Sequence, residues 1–218
     1  MAKLTRDMIL DASLAIVDKG GLSALTMRSL GVRLGVTAMA IYRHFENKDA
    51  IVSQLMGRVI SEYRPAEHSR EPWQDWVRET FGRIRRAFLE HPGIVSLAGA
   101  HAGLDRASLK VFELSLRKLL DAGLSGEDAI HLLITLVNYT IGSATIEYRA
   151  LKTVEHIAQS SNSTDYVGSL MEWYKSEVTE GMPALVEQSE FLAEFPSDKY
   201  FYSGIDRILE SAISNLER

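Results

Sequence analysis

The chain has 218 residues, a formal charge of −5, ordinary globular shares of hydrophobic (46%) and charged (24%) residues, and no cysteine. That composition argues against wholesale disorder and excludes disulfides, thiolate nucleophiles and cysteine-based zinc or iron–sulfur sites. The start, MAKLTRDMIL, lacks the apolar region of a secretory signal, and no apolar run approaches a membrane span, Ala129–Gly142 being interrupted by His131, Thr135 and Asn138; the expectation is a soluble, cytoplasmic protein.

Helix signals dominate and no strand run shows sustained alternation. The first helix is expected from Thr5, an N-cap with Asp7 in the first turn, to a stop at Gly20–Gly21. A short helix follows from Thr26 to Leu34 and breaks at Gly35. Thr37 caps a third helix to about His44, and Asn47 caps a fourth that ends before Pro65. The polar segment Arg64–Pro72 reads as a loop. Pro72 suits the first turn of a fifth helix, which carries Trp73, Trp76, Phe81 and Phe88 at helical spacing and ends at His91–Pro92. Gly99–Asp105 is loop-like and Ala107–Asp121 helical. Ser125-Gly126-Glu127-Asp128 resembles a capping box with Asp in place of Glu and opens a long helix to about Leu151. Gln159–Thr164 reads as a loop and Leu170–Glu180 as a helix. Asp198–Leu216 forms the last helix. The fold class is therefore all-α, with nine or ten helices and no internal repeat.

Charge divides along this order. Residues 1–64 hold nine Lys/Arg against six Asp/Glu, and residues 65–218 fifteen against twenty-three. A mildly basic N-terminal module on an acidic body can meet phosphate locally. Within that module Leu30, Leu34, Val36, Ile41 and Phe45 can face one small core, which leaves Ala38, Met39, Ala40, Tyr42, Arg43 and His44 largely outside it. Gly35 permits a tight turn. The start of the third helix carries partial positive charge, where a phosphate can sit. Lys48 opposes the dipole of the fourth helix, and a phosphate would supply the reason for its presence.

Leu25-Thr26-Met27-Arg28-Ser29-Leu30, then Leu34-Gly35-Val36-Thr37, then Ile41-Tyr42-Arg43-His44-Phe45-Glu46-Asn47-Lys48 together resemble the helix-turn-helix domain of the tetracycline-repressor (TetR) family. The Tyr-x-His-Phe run followed by Asn-Lys is the most specific part. Gly31 departs from the alanine usual in the family, at a helix-propensity cost of roughly 1 kcal/mol. The resemblance implies a homodimeric transcription regulator whose third helix enters the major groove, two copies reading a palindromic operator. It assigns residues 1–50 to the DNA-binding domain, residues 47–64 to a linking helix, and residues 65–218 to an effector-binding and dimerisation domain. Carried onto this chain, Arg28, Ala38, Met39, Ala40 and Arg43 are candidates to touch bases, and Thr26, Thr37, Tyr42, His44 and Lys48 to touch phosphates. Arg28 or Arg43 can bridge guanine O6 and N7; the apolar Ala38, Met39 and Ala40 suit thymine methyls.

In such proteins the remainder binds a small molecule and forms the dimer. Leu119–Glu147 and Phe201–Leu209 resemble the two dimer helices, with Gly142, Ile205, Ile208 and Leu209 as candidate interface residues. His131, Thr135 and Asn138 share one face of an apolar helix and can meet a ligand. With His101, Phe112 and the aromatics Trp76, Phe81 and Phe88 they make the candidate pocket. The resemblance also places His101 and Glu147 where a divalent ion is conceivable, although the histidine expected near Arg64 is missing, and no resident cofactor is assigned. The competing readings are a regulator controlled by a protein partner, and an enzyme. Against the enzyme, the chain has no HExxH, GxSxG, P-loop or GxGxxG, and its six histidines include no i,i+4 pair.

Overall fold

A computed structural model describes residues 3–62, 70–94, 106–161 and 182–216. Ten helices run through them: α1 (Arg6–Ala24), α2 (Met27–Leu34), α3 (Ala38–Tyr42), α4 (Lys48–Glu62), α5 (Trp73–Glu90), α6 (Arg106–Asp121), α7 (Gly126–Ser161), α8 (Pro183–Glu187), α9 (Ser189–Ala193) and α10 (Asp198–Leu216). The expected helix over Leu170–Glu180, the loop at Gly99–Asp105 and most of Arg64–Pro72 lie outside the described residues.

The helix starts follow from local chemistry. Thr5 Oγ1 accepts from the Met8 amide at 3.2 Å. Thr26 and Ser29 form a reciprocal capping box, each side chain taking the other's backbone amide at 2.9 Å. Asn47 Oδ1 accepts from Ala50 N at 2.8 Å. Each such cap is worth about 1 kcal/mol. At Ser125 the hydroxyl accepts from Asp128 N, and it donates to the Asp128 carboxylate at 2.6 Å; that carboxylate serves the Ser125 hydroxyl. Two helices overrun their expected ends. The first bends at Gly21 but resumes to Ala24. The long one continues past Leu151 to Ser161.

Two apolar cores hold the helices together. The first joins Ile9 and Val17 of α1, Leu30 of α2, Ile41 of α3 and Ile51, Leu55 and Val59 of α4, and it continues into Ala87 and Phe88 of α5, Ile94, and Ala144 of α7. The second joins Trp76, Val77 and Phe81 of α5 to Leu119 of α6, Leu132, Leu133 and Leu136 of α7 and Phe201, Ile205 and Leu209 of α10. The expectation that no apolar run reaches membrane-spanning length needs correcting: Gly126–Lys152 of α7 is long and apolar enough. His131, Thr135 and Asn138 do not lower its hydropathy enough to exclude that length. Its inward stripe of Ala129, Leu132, Leu133, Leu136, Thr140, Ala144 and Glu147 is buried against α5, α6 and α10, which makes it a core helix of a helical protein.

Where α5, α7 and α10 meet, Arg85 is 5% exposed. Its Nε and NH2 donate to the two oxygens of Glu147, both at 2.7 Å, and its NH1 donates to Asp198 Oδ1 at 2.7 Å. The guanidinium also lies over the Phe201 ring, 4.9 Å from its centroid. Burial alone would lower the Arg85 pKa; the bonds to Glu147 and Asp198 more than offset this and raise it above its ordinary value. Such a pair holds geometry well, although its net stabilisation over an apolar replacement is small. Arg85→Ala, which strands the buried Glu147 carboxylate, is predicted to destabilise the fold by roughly 3–5 kcal/mol. The double change Arg85→Met with Glu147→Leu should cost distinctly less. Urea unfolding of both variants measures the difference; equal losses would show that the pair contributes through packing alone.

Candidate nucleic-acid interface

The N-terminal constellation is built around one turn. Gly35 closes α2 in the left-handed region (φ 65°), its amide directed back to Val32 O and Gly31 O, a conformation that side chains resist. Gly31 has a separate reason to lack a side chain: a Cβ there would fall 2.8 Å from Val36 O. The departure from alanine thus lets α2 approach the turn closely. Beyond the turn, Thr37 Oγ1 accepts from Ala40 N at 3.3 Å, and α3 anchors itself through Ile41, fully buried, with Phe45 just after it.

That anchoring sets the outward face. Met39 is 67% and Tyr42 48% exposed, and Arg28 and Arg43 are exposed. Ala38, Ala40 and His44 are half-buried at its margin. The structure therefore brings Arg28, Met39, Tyr42 and Arg43 to the surface of one small unit. Thr26 and Thr37 are exposed, but their hydroxyls serve as caps. Lys48 donates one ammonium N–H to Leu22 O at 2.7 Å, which holds it against the end of α1 with two donors left over. Arg6, which the sequence did not single out, donates to His44 O at 2.6 Å and lies over the Phe45 ring.

The body divides the residues assigned to a pocket. Trp76, Phe81 and Phe88 are all at most 4% exposed; the first two belong to one core and Phe88 to the other. Phe112 is partly buried against the core that holds Trp76. His131, Thr135 and Asn138 point the other way. They are exposed, as are Ile134 (46%) and Ile146 (58%), and with half-buried Gly142 they form one face at helical spacing. Thr135 Oγ1 donates to His131 O. The polar trio and the aromatic stripe therefore do not share a lining, because the inward stripe of α7 falls on its opposite side. A recess of about 330 Å³ does touch Asn138, but it lies on this face, between α7 and the start of α10, with Gly142, Ile146, Phe195 and Tyr200. Two buried polar groups escaped the sequence reading. Thr80 of α5 and Thr140 of α7 are at most 1% exposed, and neither hydroxyl oxygen has a hydrogen-bond partner.

Ile205 and Leu209, assigned to a dimer interface, are 0% and 3% exposed within the protomer. They fix α10 to its own core instead of facing outward; Ile208 is partly buried beside them. Glu147, considered as a metal ligand, has both oxygens engaged by Arg85, so a cation there would compete with a guanidinium. His101 lies outside the described residues.

The model of bacterial regulatory proteins of the tetR family matches residues 9–55, and that of the tetracyclin repressor-like C-terminal domain matches residues 65–211. The chain belongs to the TetR family. It is 30% identical to the class E tetracycline repressor protein of Escherichia coli over 160 residues, covering 72% of this chain and 74% of that one. Its fold matches apo ActR of Streptomyces coelicolor with a TM-score of 0.78 and 26% identity, over 100% of this chain and 98% of the other. It also matches ActR in complex with actinorhodin with a TM-score of 0.79 and 24% identity, over 100% of both chains. As a TetR-family member it is a helix-turn-helix transcription regulator that binds DNA as a dimer.

An exposed guanidinium on a buried scaffold is suited to base readout. Arg43→Ala should cost about 1–3 kcal/mol of specific binding and relax base preference at one position of each half-site. Titration against matched and single-substituted duplexes checks this. Equal loss on every duplex would make Arg43 a phosphate contact.

Proposed function

We propose that this protein is a ligand-responsive repressor: a homodimer that holds a palindromic operator through α2 and α3 and is released by a small-molecule effector. The observation that carries the reading is the continuity of the first core. Side chains of the DNA-binding unit and of α5 and α7 share one packed interior, so a change in the body must move or strain the head. A second tie runs beside it: His91, at the end of α5, meets Asp18 of α1 at 2.8 Å. The named relatives support the ligand half. ActR has been solved with actinorhodin, and the tetracycline repressor carries its effector class in its name. The unpaired hydroxyls of Thr80 and Thr140, on the inward sides of helices that pack together, offer hydrogen bonds that an effector can satisfy.

The dimer in this reading forms on the outward face of α7 together with α10, which accounts for Ile134 and Ile146 standing exposed. His131, Thr135 and Asn138 then become interface polar groups, and the recess at Gly142 receives the partner. Release requires that the effector bind the non-DNA state more tightly than the DNA-bound one. The protein's site of action is the cytoplasm, where the operator is.

The test is thermal unfolding with a panel of aromatic and apolar compounds, tetracycline and actinorhodin included, followed by DNA release for each stabilising compound. A compound at a hundred times its dissociation constant stabilises by about 2.7 kcal/mol and is expected to free the DNA. Compounds that stabilise the protein while DNA stays bound would contradict an effector-driven switch. For the dimer, Ile134→Asp is predicted to give monomers in sedimentation with secondary structure retained; a persisting dimer would move the interface off this face.

A further inference from the structure

The reading helix α3 has only five residues, far below the length at which a helix holds its own shape in water. Its position is therefore set by what grips it. At its start the grip is weak: Thr37 Oγ1 takes Ala40 N at 3.3 Å. In the middle it is Ile41, buried in the first core. At its end the chain turns, with His44 N and Phe45 N both directed to Ile41 O at 2.9 and 3.1 Å. The His44 carbonyl just past that turn accepts from Arg6 NH1 at 2.6 Å, across 38 residues of chain. The same guanidinium sits 4.2 Å from the centroid of the Phe45 ring, itself 2% exposed. A charge-assisted bond combined with a cation–π contact thus ties the first residue of α1 to the segment that immediately follows the reading helix.

We propose that Arg6 is a positioning residue for DNA reading: it fixes the exit of α3, and so the angle at which Met39, Tyr42 and Arg43 are presented, without itself reading bases. The inference rests on the DNA-binding function above. A clamp of this kind acts by preorganisation. Its loss lowers specific affinity more than general attraction to phosphate, whereas loss of a phosphate contact weakens every duplex alike and reduces the salt dependence.

The experiment compares wild type, Arg6→Ala and Arg6→Lys on two probes: the duplex that the wild type enriches from a randomised library, and a scrambled duplex of equal length. Both are titrated across a salt series, and amide exchange is followed in the free protein. For Arg6→Ala, affinity for the enriched duplex should fall about ten-fold, the effect of roughly 1.4 kcal/mol. The scrambled duplex and the slope of log K against log salt should stay unchanged. Amides of α3 should exchange faster while those of α2 keep their protection. Lysine, which can donate to the same carbonyl and place a cation over the same ring, should restore most of the specific affinity. Equal loss on both duplexes with a salt slope smaller by about one would make Arg6 a phosphate contact and overturn the proposal, as would unchanged binding and exchange. If the wild type enriches no duplex, the DNA-reading function itself fails, and the exchange of α3 amides still decides whether Arg6 braces that helix.

Discussion

The buried face of α4 is the constraint on which the rest of this molecule depends. Ile51, Val52, Leu55, Met56 and Val59 are at most 3% exposed, and they lie in one core with α1, α2 and α3 on one side and Ala87, Phe88, Ile94 and Ala144 on the other. A core packed at crystal-like density transmits displacement instead of absorbing it. The DNA-binding unit is consequently seated on the body, and its orientation follows α5 and α7. The shared core joins α4 to α1, and the exposed ion pairs from Arg58 to Asp7 and Asp11 add little to that.

The body is pinned in its turn at a buried polar junction. Arg85 joins α5 to α7 and α10 through two carboxylates, with Phe201 stacked beneath it. Around this point lie the helix that touches the head, the long helix with Ile134 and Ile146 exposed on its outer face, and the final helix. Under the proposed reading, a ligand that alters the α5–α7 packing acts on helices that share a core with the head. This is the physical content of coupling between sites: two arrangements of a packed unit, biased by differential binding.

Much of this was legible in the chain before its fold was seen, and the reasons are local. Thr5, Thr26, Thr37, Asn47 and Ser125 announce helix starts because their side chains bond amides three residues on. Gly35 announces the turn because the backbone there is left-handed. What was not legible is phase and tertiary pairing. An apolar helix such as α7 shows which residues share a face but not which face turns inward; His131, Thr135 and Asn138 are exposed, on the side opposite the aromatic residues of α5. For the same reason the periodicity of α10 does not show that Ile205 and Leu209 turn into the protomer's own core. Pairings across long stretches of chain, such as Arg85 with Glu147, Arg6 with His44 and Lys48 with Leu22, leave no periodic trace. The bond from Lys48 to a carbonyl 26 residues away is one that no local pattern announces.

A weakly basic head with a five-residue reading helix, sharing a packed core with an acidic body, is suited to reading DNA in symmetric pairs. The most direct test is to let the full-length protein select from a randomised duplex library and to footprint the selected site. Two inverted half-sites whose centres lie one helical turn, or a multiple of it, apart, each protected in the major groove, would be the signature of two α3 helices related by a twofold axis. Selection of a single unpaired half-site, or no enrichment over random duplex, would contradict the account.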